Sequence, residues 1–199
     1  MPDSDQDGRV AIVGMAALMP GAPDLAAYWH NIVNGVDAIS DAPPDRWDPI
    51  FYNPDFTGTD LQPDRFYCKR GGFIHDAAVD VLGFGIPPTA VAATEPDQLI
   101  ALTLADAALT DAGGEDAVVP DRDRVGVVLG RGGYSGPLAN RLADRVRGAN
   151  QFAKSLGEIM PELGAETIER IRVAYADSSA PWRIDNAVGL VSNYSASRI

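Results

Sequence analysis

The chain has 199 residues, of which 46% are hydrophobic, enough to bury the core of one folded unit. Its 28 acidic and 16 basic residues give a formal net charge of -12, which argues against nonspecific binding to nucleic acid or to an anionic membrane, since both need a cationic surface. The single cysteine excludes an internal disulfide and favours the reducing cytoplasm, and with only two histidines it disfavours a dedicated zinc site.

The N-terminus lacks the features of a signal peptide. Residues 1–8, MPDSDQDG, are acidic and contain no apolar core, so we interpret them as a solvated tail. The longest apolar runs are far shorter than a membrane span. We therefore expect a cytoplasmic protein whose folded part is residues 9–199.

The first third of the chain predicts one strand, one helix and a long connection. The apolar run Val10–Gly14, VAIVG, predicts a short buried strand. Between Asp24 and Gly35 the apolar residues recur at three-four spacing, which predicts a helix that Asp24 caps and Gly35 ends. The connection Val36–Ile74 contains five prolines and no sustained period, but its aromatic residues predict that it packs on itself.

Helical patterns dominate the rest of the chain. A nearly uncharged, buried helix is predicted to begin at Thr94, which stands at capping-box spacing from Asp97, and to continue to Ala112. Residues Pro137–Gly148 predict a helix with one solvated side. Two further helical patterns follow in Gln151–Tyr175, separated near a proline and a glycine.

A glycine cluster follows a strand pattern in Arg124–Tyr134, RVGVVLGRGGY. The run Val125–Leu129 is short, β-branched and not alternating, which is typical of a central strand covered on both faces. The glycines of Gly130–Gly133 permit either a plain strand-to-helix turn or the close approach of a ligand. A dinucleotide-binding module is an alternative, but Ser135 stands where its fingerprint needs a glycine.

The most reactive side chain is Cys68, whose neighbours Lys69 and Arg70 would favour a thiolate nucleophile. It lies in the irregular aromatic connection, and neither His30 nor His75 has a context that marks it as the base. We interpret Cys68 as incidental. The residues alone therefore indicate an acidic α/β domain without a catalytic set.

Motifs along nearly the whole chain from Arg9 resemble the N-terminal part of a β-ketoacyl synthase, the condensing enzyme of fatty-acid and polyketide assembly. They are, in order, VAIVGMAALMPGA, AYWHNIVNGVDAIS, PPDRW, KRGGFI, DAALTDAG and RVGVVLG. The stretches FGIPPTAVAATEPDQ and GRGGY resemble the iterative polyketide and polyunsaturated-fatty-acid synthase branch. Where a modular synthase usually carries aspartate-proline-glutamine-glutamine, this chain has Glu95, Pro96, Asp97 and Gln98.

The resemblance implies an α/β thiolase-like fold, layered αβαβα and usually dimeric, of which this chain supplies only the opening part of the N-terminal half. It implies an acyltransferase in which a cysteine accepts an acyl group and two histidines assist decarboxylation of a malonyl thioester. An acyl carrier protein is the implied partner, and no cofactor is expected. That cysteine follows the stretch matching NYSASRI, so residues 9–199 would end before the nucleophile and contain no catalytic residue.

The site residues that the resemblance implies bind substrate. Gly130, Arg131, Gly132 and Gly133 correspond to the wall of the acyl pocket, and Asn193 corresponds to a position beside its entrance. Arg131 stands where the family commonly has a small residue. Cys68 matches no catalytic position. The alternative function is a noncatalytic subunit, either chain-length-factor-like or an interaction partner, that keeps the fold without the nucleophile.

Overall fold

The computed structural model describes residues 10–55, 65–75, 77–119, 121–132, 136–178 and 185–199. The chain divides into two compact units. One unit comprises residues 1–78 and 104–120, and the other comprises residues 79–103 and 121–199. Within the described ranges, no helix is both long and apolar enough to cross a membrane.

The first helix of the first unit, α1, spans Leu25–Val33. The Asp24 carboxylate accepts a hydrogen bond of 2.8 Å from the amide of Ala27, which satisfies one of the free donors at the helix start. Gly35 has a φ of 62°, the left-handed geometry that commonly follows a helix. The predicted helix and both of its end signals are confirmed.

The cap of α1 gives a measurable prediction. Replacing Asp24 with alanine removes the acceptor for Ala27 and should cost about 1 kcal/mol of local stability. Hydrogen–deuterium exchange of the amides in the first turn should then accelerate about fivefold. Asp24→Asn keeps an acceptor oxygen and is the control, so equal acceleration in both variants would contradict the assigned cap.

The long connection contains a small antiparallel sheet that the sequence did not predict. Strand β1, Ile39–Asp41, pairs with β2, Arg70–Gly72, so that Ile39 lies opposite Gly72. Three-residue strands are too short to show a hydrophobic period. At the edge of this sheet Lys69 donates to Asp41 over 2.8 Å, and this hydrogen bond raises the pKa of the lysine.

Aromatic packing orders the connection, as predicted, in the part that is described. The Trp47 ring lies 5.6 Å from Tyr52 and 4.6 Å from Phe66, measured between ring centroids. A 3-10 turn over Pro49–Phe51 places Tyr52 beside this cluster. Ring pairs at these separations contribute attraction beyond the area they bury.

Both predicted buried strands are wrong. Val10–Gly14 and Val125–Leu129 form no ladder with any described residue, and Val10 and Val128 are 93% and 95% exposed. A strand needs a neighbouring backbone to accept and donate its hydrogen bonds, and the described residues provide none for these runs. The sequence therefore identified segments with strand composition but not strands.

The remaining elements are helical. After α2, α3 and α4 a 3-10 turn leads to the long helical run α5–α6, and a second 3-10 turn separates that run from α7, which α8 and α9 follow. Their bounds are α2 Pro88–Val91, α3 Pro96–Asp111, α4 Glu115–Val118, 3-10 turn Arg122–Arg124, α5 Pro137–Ala143, a π turn Asp144–Gly148, α6 Ala149–Ile159, 3-10 turn Pro161–Leu163, α7 Gly164–Asp177, α8 Asp185–Leu190 and α9 Tyr194–Arg198.

The start of α3 differs from the predicted capping box. The Thr94 hydroxyl donates over 2.9 Å to the carbonyl of Ala90 in the preceding turn, so it does not cap α3. The helix begins instead at Pro96, a residue suited to the first helical position. The predicted end is confirmed, since Gly113 and Gly114 have φ angles of 103° and 99°.

Two packed regions organise the second unit. Ile86, Leu99 and Leu102 are buried together and place the start of α3 against the residues before it. Farther along, Phe152 of α6 stacks on Tyr175 of α7 with 5.3 Å between ring centroids. The two helical patterns predicted after residue 151 are therefore confirmed as α6 and α7, which pack on each other. The predicted helix end at Gly148 is wrong, because that residue keeps helical angles.

Candidate functional site

The start of α3 carries the most deeply buried polar side chains in the described part of the chain. Glu95 is 1% exposed and Gln98 is 0% exposed, in a run of sequence that also contains the half-buried Asp97. Burying such groups is costly unless they find hydrogen-bond partners. Their partners lie in α5, at the end of α8, in α9 and in the glycine stretch.

Glu95 holds the start of α5. Its Oε1 accepts a hydrogen bond of 2.9 Å from the amide of Ala139, one of the free donors in the first turn of that helix. Gly136, the residue before the helix, approaches the carboxylate so closely that an added Cβ would overlap it. Glycine at this position thus lets a distant side chain perform the capping role that a local serine or aspartate usually performs.

Gln98 holds the last segment of the chain. Its Nε2 donates to the carbonyls of Gly189 at 2.7 Å and Val191 at 3.3 Å, which lie at the end of α8. Its Oε1 accepts a hydrogen bond of 3.2 Å from Nε of Arg198 in α9. One buried amide therefore satisfies groups on both helices that precede the end of the chain.

Arg131 joins the glycine stretch to both of these regions. Its Nε donates to Oδ2 of Asp97, forming an ion pair, and its Nη1 donates to Oγ of Ser192 over 2.8 Å. The side chains of Arg131 and Asp97 are 31% and 42% exposed, so water screens the pair only in part. The guanidinium thus connects α3, the glycine stretch and the residue before Asn193.

Besides Arg131, three of the predicted site residues lie in the described part of the chain. Gly130 and Gly132 are exposed, and no atom lies within 4 Å of a Cβ added at Gly130, so the backbone there borders open space. Asn193 is also exposed, directly before α9, and its side chain makes no capping bond. Gly133 lies outside the described residues. Through Arg131 and Ser192, the structure connects the two segments that carry the predicted substrate-binding residues.

Cys68, the thiol of the irregular connection, has no hydrogen bond to a catalytic base in the described ranges. Cys68 is exposed, and its Sγ lies 3.5 Å from the carbonyl of Arg70. In the described ranges no hydrogen bond joins it to His75 or to His30, whose Nδ1 lies 3.3 Å from Nδ2 of Asn34. The same ranges contain no group of three His, Cys, Asp or Glu residues that could hold a metal ion.

Sequence reasoning missed the roles of Glu95, Gln98 and Ser192. In the sequence, the run Glu95–Gln98 stands out by its difference from the usual modular sequence and by the capping-box spacing of Asp97 from Thr94. A signal was present, because two charged residues and an amide stand together at the start of an otherwise nearly uncharged helix. Their partners, however, lie from 34 to 100 residues away along the chain.

Comparison with protein families gives a match to the model described as "Beta-ketoacyl synthase, N-terminal domain" over residues 7–166. The chain is 33% identical to a polyunsaturated fatty acid synthase protein of Thraustochytrium over 202 residues, covering 98% of this chain and 7% of that protein. It is 37% identical over 134 residues to polyketide synthase PksN of Bacillus subtilis, covering 66% of this chain and 2% of that protein. The chain thus spans a small fraction of these relatives.

Among solved structures, the chain is similar to the oxazolomycin ketosynthase domain OzmH KS7 of Streptomyces albus. The superposition covers 55% of this chain and 18% of that chain, with 35% sequence identity and a TM-score of 0.49.

Proposed function

Since the chain belongs to the β-ketoacyl synthase family through its N-terminal domain, and therefore to the thiolase-like fold class, we propose that it is the N-terminal portion of a ketosynthase that catalyses decarboxylative Claisen condensation. The family match over residues 7–166 carries this proposal. Residues 9–199 would be the opening part of the domain, ending before the nucleophile, and residues 1–8 its acidic tail. The chain alone would be inactive.

The proposed chemistry divides into acyl loading and condensation. A cysteine beyond Ile199 would attack an acyl thioester on an acyl carrier protein, forming an acyl-cysteine thioester and releasing the carrier thiol. A malonyl thioester on the carrier would then lose carbon dioxide, and the resulting carbanion would attack the acyl-cysteine carbonyl. The cysteine thiolate leaves, and the product is a β-ketoacyl thioester longer by two carbons.

This chain's own residues would contribute one wall of the acyl pocket. The proposal assigns substrate binding to Gly130, Arg131, Gly132, Gly133 and Asn193. The open space beside Gly130 supports it, because an acyl chain can lie against a backbone that has no side chain. No described residue of this chain takes a covalent role in the proposed reaction. A homodimer and a cytoplasmic location belong to the same proposal.

The test uses the complete protein, extended through the sequence that follows Ile199. Incubated with an acyl thioester and a malonyl carrier protein, it should form a β-ketoacyl product, detected by mass spectrometry, and release an equal amount of carbon dioxide. Replacing the downstream cysteine with alanine should abolish acyl loading. The 199-residue chain by itself should give no product under the same conditions.

The outcomes distinguish this proposal from a noncatalytic subunit. If another residue occupies the cysteine's place and product forms only when an active ketosynthase is added, the chain belongs to a chain-length-factor-like partner. If the cysteine is present and neither arrangement gives product, the proposed condensation is wrong.

A further inference from the structure

Three segments that are distant in sequence meet at one guanidinium. Arg131 lies in the glycine stretch, while its partners Asp97 and Ser192 are 34 and 61 residues away. Asp97 stands in the first turn of α3, and Ser192 immediately precedes Asn193. All three belong to the second compact unit. The side chain of Arg131 is thus the direct hydrogen-bonded link between the glycine stretch and the segment of Asn193.

The geometry of this link depends on arginine. Nε and Nη1 belong to one rigid planar group, so the contact with Asp97 and the contact with Ser192 together fix its orientation. A lysine carries the same charge on a flexible stem but cannot present two donors in that fixed relation. Arg131→Lys therefore keeps the positive charge and removes the fixed pair of donors.

Asp97 depends on Arg131 in turn. Its Oδ2 accepts from the guanidinium, whereas its Oδ1 is buried and has no partner among the described residues. Loss of the guanidinium would leave Oδ2 without this donor, at a cost that water reduces because the side chain of Asp97 is 42% exposed. Asp97 and Arg131 therefore orient each other, and without Asp97 the guanidinium keeps only its bond to Ser192.

We propose that Arg131 is a positioning residue that, through Asp97 and Ser192, sets the separation between the glycine stretch and the segment of Asn193. This inference rests on the proposed function, since it treats these two segments as parts of the acyl pocket. Its consequence is selectivity: the clamp of Asp97, Arg131 and Ser192 fixes the width of the pocket and hence which acyl groups the enzyme accepts. In this role the backbone of Arg131 borders the acyl group, whereas its guanidinium places the two segments and takes no part in bond formation.

The test compares acyl loading in the complete protein across a series of straight-chain acyl thioesters of increasing length. In Arg131→Lys and in Asp97→Asn, the ratio of kcat/KM between the best and the poorest accepted chain length should fall at least about fivefold. The change should come from KM rather than from kcat. The double variant should be no less selective than the single variants, because both substitutions break the same link.

A second ion pair of the same unit supplies the matched control. Arg145 donates from Nη1 to Asp177 over 2.7 Å, with side-chain exposures of 34% and 58%, and the pair lies between the π turn and α7. Arg145→Gln should keep the selectivity of the wild type. In parallel, hydrogen–deuterium exchange should rise at residues 130–132 and 191–193 in the clamp variants but not in Arg145→Gln.

The possible results separate the inference from the proposed function. If the wild type forms no acyl-enzyme and no product, the proposed function is wrong. If the wild type condenses but both clamp variants keep its selectivity, only the role of Arg131 is overturned. Loss of selectivity in Arg145→Gln to the same extent would also overturn it, because any lost ion pair would then have the effect.

Discussion

Replacing Gln98 with alanine is expected to release residues 189–198 from the start of α3. Gln98 is completely buried, donates to the carbonyls of Gly189 and Val191, and accepts from Arg198. Alanine leaves the carbonyl of Gly189 and the guanidinium of Arg198 without this partner and leaves a cavity where the amide was, whereas the carbonyl of Val191 still accepts from the amide of Tyr194. Each such group left unsatisfied costs about 1–3 kcal/mol, so we expect a total loss of about 3 kcal/mol.

Exchange of amide hydrogens measures this release in the complete protein. A local loss of about 3 kcal/mol corresponds to exchange about a hundredfold faster for the amides of α8 and α9. Gln151→Ala is the control, because Gln151 is exposed on α6 and its replacement should not change exchange in α8. Unchanged exchange in Gln98→Ala would mean that other contacts, and not this amide, hold the segment.

The sequence predicted the helices well where their signals are local. Asp24 and Gly35 enclose α1 as expected, and the two glycines after α3 end it. A cap or a left-handed glycine acts within one turn, so the residues that decide the outcome are adjacent in the chain. The resemblance likewise identified the family, because each of its motifs is a short contiguous stretch of residues.

The sequence failed where the structure depends on distant partners. Thr94 has the spacing of a capping residue, yet it bonds back to Ala90 because α3 begins only at Pro96. The apolar run after Arg124 has the composition of a strand but no described neighbour to pair with. A strand needs both strand-forming residues and a neighbouring backbone, and the run itself supplies only the residues.

In the candidate site, too, local signals could be read from the sequence and distant contacts could not. The resemblance named Arg131 and Asn193 separately, each from its own stretch of sequence. Their connection through Ser192 could not be predicted, because nothing in a single sequence relates positions 61 residues apart. The resemblance noted Asp97 as a difference from modular synthases, and the structure explains that residue as the partner of Arg131.

The 199-residue chain expressed alone is expected to self-associate and to melt without a cooperative transition. Two of its apolar runs expose valines almost completely, with Val10 at 93% and Val128 at 95%, and Ile12 in the first run is 79% exposed. Runs of this composition without backbone partners pair readily with other chains. Sedimentation velocity should find oligomers that grow with concentration, in spite of a net charge of -12 that opposes association.

Lysine substitutions identify the surfaces responsible. Val128→Lys places a charge in the middle of the second run and should reduce association, since charges along an extended segment oppose edge-to-edge pairing with another chain. Ile159→Lys is the control, because Ile159 is 78% exposed but lies at the end of the helix α6, whose backbone is hydrogen-bonded within itself. Extension of the chain beyond Ile199 should restore a cooperative melt if the added residues cover these runs. A monomeric 199-residue chain that unfolds in one cooperative step would contradict the expectation, because the exposed valines would then need no partner.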